Sequence, residues 1–81
     1  MLMKTEAFMA ILEDILHVPK GRLKMEDGPN TLETWDSIAG ATILAVIDQE
    51  LQFEPSEELV SKSITVRQII EALKSRGLLQ D

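Results

Sequence analysis

Phe8, Ile11, Leu12, Ile15 and Leu16 stand three and four residues apart, and that spacing recurs in two later segments of the chain. At about 100° of turn per residue, such positions fall on one side of a helix, whereas a strand would scatter them onto both faces of a sheet. The second set is Gly40, Ile43, Leu44, Ile47 and Leu51, and the third is Val66, Ile69, Ile70 and Leu73. No segment has convincing period-two alternation. A chain of 81 residues supplies one core, so the expectation is a single all-α domain spanning residues 1–81.

The ends of these segments carry stop and start signals. The first helix is expected from about Lys4 to His17, with Thr5 as N-cap, Glu6 at the positive end and Pro19 just beyond the stop. The second starts at Asp36 or Ser37 and ends near Gln52. A short helical turn is expected over Ser56 to Ser61, reached through Pro55. The last helix has the clearest start: Thr65 and Gln68 have the spacing of a capping box, and Ile64 and Ile69 that of a hydrophobic staple. Arg76-Gly77 is a good C-terminal stop. Between the first and second helices runs a long loop, Val18 to Trp35, punctuated by Gly28-Pro29. Its expected anchors into the core are Leu23, Met25, Leu32 and Trp35. The architecture is thus three longer helices, a short third helix and one long crossover loop.

Composition excludes several functions. The chain has no cysteine, so it forms neither a disulfide nor a thiolate metal site, and its single histidine rules out a multi-histidine centre. Glu54, Glu57 and Glu58 lack EF-hand spacing and read as a solvated helix start rather than a metal site. A net charge of −6 repels phosphate backbones and anionic membranes, so no nucleic acid partner is expected. The longest nearly uncharged run, Ile38 to Ile47, is about half of what crosses a bilayer, so no membrane span is expected. The start of the chain lacks the layout of a signal peptide. A cytoplasmic monomer is the expectation.

The second helix is apolar on most of its circumference. Gly40, Ile43, Leu44, Ile47 and Leu51 cluster on the expected core face. Roughly opposite lie Ile38, Ala41, Thr42 and Ala45, with Asp48, Gln49 and Gln52 making the far end polar. An outward apolar patch marks either a contact surface or ground covered by the long loop. At the start of this helix Asp36 is placed to act as N-cap, which puts Ser37 at the first helical position, beside free N–H groups and the positive end of the dipole. A phosphodiester on that serine would be stabilised there. Asp-Ser also serves as a simple cap with no further role. Serine catalysis needs an adjacent base, and His17 is the only histidine. A capping or surface role suits it better, and the chain has neither a GxSxG elbow nor a Gly-rich phosphate loop.

Taken together, Asp36-Ser37-Ile38 after a long loop, the "VIDQEL" helix end and "SITVRQIIEAL" resemble the acyl carrier protein family, over nearly all of the chain to about Leu73. The "TWDSIAG" form looks most like discrete carriers in which Trp-Asp-Ser replaces Leu-Asp-Ser. The resemblance implies a four-helix bundle with no catalytic residues of its own. It implies that Ser37 receives 4'-phosphopantetheine from coenzyme A through a phosphopantetheinyl transferase. The arm would hold acyl or related groups as thioesters for the loading and using enzymes of a fatty acid, polyketide or specialised lipid pathway. Partner recognition would fall to Ile38, Ala41, Ala45 and Asp48. Family members of fatty-acid synthesis have carboxylates soon after the serine. Here those positions are Ala39, Gly40 and Thr42, which implies a dedicated set of partners. A peptidyl or aminoacyl carrier, or an unmodified helical interaction module, is the alternative.

Overall fold

The computed structural model describes residues 2–53 and 64–81. In chain order these form β1 (Met3–Lys4), α1 (Thr5–Leu16), α2 (Ser37–Leu51), α3 (Val66–Ser75) and β2 (Leu79–Gln80). Three helices are therefore present among the described residues, all within two residues of the expected bounds. The short helix expected at Ser56 to Ser61, with Glu54, Glu57 and Glu58, lies outside the described residues.

One core collects side chains from every helix. Phe8, Leu12 and Leu16 come from α1, Ile43, Ile47 and Leu51 from α2, and Val66, Ile69, Ile70 and Leu73 from α3. The α1 stripe is narrower than its spacing implies, since Ile11 and Ile15 are only half-buried. All four α3 positions are enclosed. The capping box of α3 is complete: Gln68 N–H donates to the Thr65 hydroxyl, and Thr65 N–H donates to the Gln68 side-chain oxygen. Ile64 packs half-buried against the core, to which the fully buried Ile69 belongs.

Two expectations about the chain ends are corrected. The first concerns strands: β1 and β2 pair in parallel, with Met3 opposite Leu79 and Lys4 opposite Gln80. Two residues are too few to show alternation, so their sequence carries no strand signal. The second concerns Thr5, which is not the N-cap of α1. Its hydroxyl donates instead to the Gln80 carbonyl at 3.0 Å. The cap position falls to Lys4, whose side chain makes no capping bond. Pairing with β2 has drawn the hydroxyl away from the helix end.

The loop between α1 and α2 is held by groups at both of its sides. Glu13 is the one buried charged side chain among the described residues. A single carboxylate oxygen of it accepts from Gly21 N–H at 2.8 Å and from Leu23 N–H at 3.1 Å. Further along, the loop supplies acceptors to the start of α3: Val66 N–H donates to the Asp27 carbonyl at 2.9 Å and Arg67 N–H to that of Met25 at 3.0 Å. Those N–H groups belong to the first turn, where a helix has no internal partner to offer. Gly28 lies against this junction, and a Cβ there would collide with the Ile64 carbonyl. Of the expected anchors, Leu23 and Trp35 are buried, while Met25 and Leu32 are partly buried against the core.

Glu13→Ala should leave two main-chain donors unpaired, and such a group costs about 1–3 kcal/mol when buried. Urea unfolding should show a lower midpoint for Glu13→Ala. Glu13→Gln, which keeps an oxygen acceptor, should lose less. Equal midpoints for the parent and the alanine variant would mean that water replaces the carboxylate.

Candidate functional site at the start of the second helix

The approach to α2 is a run of hydrogen-bonded turns. Gly28 carbonyl accepts from Thr31 and Leu32 N–H groups, both at 3.0 Å, and Leu32 carbonyl accepts from Trp35 N–H at 3.1 Å. The Thr31 hydroxyl donates to the Asp27 carboxylate at 3.1 Å, tying the start of this run to its middle. Trp35 then enters the core with 3% of its surface exposed. Among the described residues its indole Nε1–H meets no acceptor, so packing is what holds the ring there.

Burial of Trp35 fixes where its neighbour emerges. Asp36 is extended (φ −97°, ψ −170°) and accepts from Ala39 N–H at 2.9 Å through its side chain. Its carbonyl takes the first bond of the helix, from Gly40 N–H at 2.9 Å. Asp36 is therefore the N-cap, as its position in the sequence predicts. Ser37 is the first helical residue and is exposed. The N–H groups of Ser37 and Ile38 have no acceptor among the described residues. They point a partial positive charge at the surface around the serine.

The face of α2 that looks outward agrees with the expected one. Ala41, Thr42, Ala45 and Asp48 are exposed, and 76% of Ile38 is open to solvent. The long loop does not cover them. On the inner face Gly40, Ile43, Ile47 and Leu51 are buried and Leu44 is half-buried. Ala39, which was not expected there, is also buried.

His17 is brought closer than its place in the chain implies. It ends α1 in a left-handed conformation (φ 56°), and its N–H and that of Val18 return to the carbonyls of Asp14 and Glu13. It then lines the same surface hollow as Asp36 and Ile38. Among the described residues, no hydrogen bond links its imidazole or any carboxylate to the Ser37 hydroxyl. Nor does any group of three or more histidines and carboxylates stand ready for a metal among those residues. No helix described is long and apolar enough to cross a membrane.

Sequence reasoning missed Glu13, the β1–β2 pair and the hollow. Glu13 shows no motif because its partners are main-chain groups of a loop, which any residue type supplies. Comparison with protein-family models, curated proteins and solved structures finds no match.

Trp35→Ala should destabilise the protein by about 3–5 kcal/mol, the usual cost of emptying a buried tryptophan site. Trp35→Phe should cost much less, since it keeps an aromatic ring in the site and the indole has no hydrogen bond among the described residues to lose. Denaturant midpoints for the two variants check this. A Trp35→Ala protein as stable as the parent would show that the ring does not pin the loop.

Proposed function

We propose that the protein is an acyl carrier, modified on Ser37 with 4'-phosphopantetheine. The observation that supports this most is the exposed Ser37 at the first turn of a helix capped by Asp36, beside two N–H groups without acceptors among the described residues. A phosphodiester fits that position, since those N–H groups and the helix dipole favour an anion. The carboxylate of the adjacent Asp36, a like charge to the phosphodiester, is already engaged by Ala39 N–H.

In the modification the Ser37 oxygen bonds to the phosphorus nearer pantetheine in coenzyme A. The diphosphate P–O bond breaks, 3',5'-ADP leaves, and the serine proton passes to a base of the phosphopantetheinyl transferase. No base is needed on the carrier, which accounts for the isolation of Ser37. The arm supplies a thiol that holds acyl groups as thioesters, and the protein supplies address and orientation. In this reading the domain is a four-helix bundle of the acyl carrier type, a cytoplasmic monomer that serves loading and using enzymes of fatty acid, polyketide or specialised lipid synthesis. Ile38, Ala41 and Ala45 form its docking stripe, with Asp48 at the far end.

Incubation with coenzyme A and a broad-specificity transferase should add one phosphopantetheine by mass. Ser37→Ala should abolish the addition with helical circular dichroism unchanged. Modification that persists in the alanine variant overturns the assignment.

The stripe is apolar, so partner transfer should depend weakly on salt. Ala45→Glu would place an unpaired carboxylate in the interface and should slow transfer, while the fold survives because the core lies on the other side. Transfer rates across a salt series measure this. Steep salt dependence in the parent, with no loss in Ala45→Glu, would move the docking surface to Asp48 and Glu50.

A further inference from the structure

Beside the N-terminus of α2 the surface carries a hollow of about 530 Å³. The end of α1 makes one wall, through Asp14, Ile15 and His17. Thr34, Ile38 and Thr42 make the other. Asp36 also lines it, so both chain neighbours of Ser37 belong to the wall, and each neighbouring Cα is one peptide, about 3.8 Å, from that of Ser37. Ser37 is not itself among the lining residues, so anything attached to it starts one residue outside the hollow and reaches in past Asp36 or Ile38.

The lining selects by chemistry. Ile15 and Ile38 offer branched apolar surface, while Thr34, Thr42 and His17 offer donors and acceptors. The Thr42 hydroxyl donates to the Ile38 carbonyl at 2.9 Å, which orients it and leaves its oxygen to accept from a ligand. No lysine or arginine lines the hollow, and two aspartates do. An anionic occupant is disfavoured by that balance. A neutral occupant that joins branched methyl groups to amides and a hydroxyl matches it. His17 reaches the wall from a left-handed backbone position, where the equivalent residue at the end of α3 is Gly77 (φ 72°).

We propose that this hollow is the seat of the arm itself. The neutral portion of 4'-phosphopantetheine lies between α1 and α2, its geminal methyl groups against Ile15 and Ile38, and its hydroxyl and amides bonded to Thr34, Thr42 and His17. The inference rests on Ser37 being the attachment site. Tethering makes weak contacts sufficient: a short flexible link gives an effective concentration in the millimolar range, so an intrinsic dissociation constant of about 1 mM fills half the sites. Ile38 belongs to both this wall and the exposed stripe, so a partner that covers Ile38 competes with the seated arm.

The test is an isotope-filtered NOE experiment on full-length protein labelled with ¹³C and ¹⁵N and loaded with an unlabelled arm. Mass spectrometry of the sample comes first. Failure to gain the phosphopantetheine mass removes the attachment reading, and this inference with it, before any spectrum is recorded. With the mass gained, the geminal methyl protons should show NOEs to Ile15 and to the His17 ring. The Ile15 and His17 signals should also shift between unmodified and modified protein. These two residues decide the matter, because α2 signals shift from the neighbouring phosphodiester alone. A modified protein with no NOE from the arm to Ile15 or His17, or with NOEs gathered elsewhere, overturns the seat and leaves Ser37 as the attachment site.

Discussion

The Glu13 carboxylate and the first turn of α3 carry the loop between them, and the position of α2 depends on that loop. A segment without regular structure has main-chain groups that need partners elsewhere. Here Glu13 accepts from Gly21 and Leu23 at one end, and Asp27 and Met25 carbonyls meet Val66 and Arg67 at the other. The exchange is mutual, because the helix start lacks acceptors as much as the loop lacks donors to satisfy. The exposed Arg67–Glu26 ion pair at 3.3 Å spans the same junction, but solvent leaves such pairs worth little. Main-chain hydrogen bonds, backed by buried Leu23 and Trp35, do the holding.

From that frame follows the geometry of the candidate site. Trp35 is buried, the next residue caps α2, and the one after it stands in solvent at the positive end of the helix. Each step is set by the one before. The helix itself is apolar on two sides, and the larger side chains decide which side enters the core. Ile43, Ile47 and Leu51 bury more surface than Ala41 and Ala45 could, so the small residues remain outside with Ile38. An exposed isoleucine next to a capped serine is surface that folding does not use.

Chain ends show where local signals yield to distant ones. Thr5 has the residue type and position of an N-cap, and by itself that choice is sound. The parallel pairing of β1 with β2 brings the Gln80 carbonyl within reach, and the hydroxyl bonds there instead. Among the described residues Thr65 and Asp36 meet no such competitor, and both cap as their sequences predict. The same threonine hydroxyl gives different outcomes at Thr5 and Thr65 because a carbonyl from the far end of the chain stands beside the first.

The positions of α1, α2 and α3, the Thr65–Gln68 capping box, the Asp36 cap, Ser37 as the first helical residue and the division of α2 into two faces were determined by the sequence alone. They depend on groups within about one helical turn of each other, and that spacing is written directly in the residue order. The tertiary structure decided the role of Glu13, the diversion of Thr5, the pairing of the chain ends and the meeting of His17 with Asp36 across one hollow. Those depend on distances between segments remote in the chain. Main-chain donors and acceptors look alike at every residue, so only the folded backbone selects which of them meet.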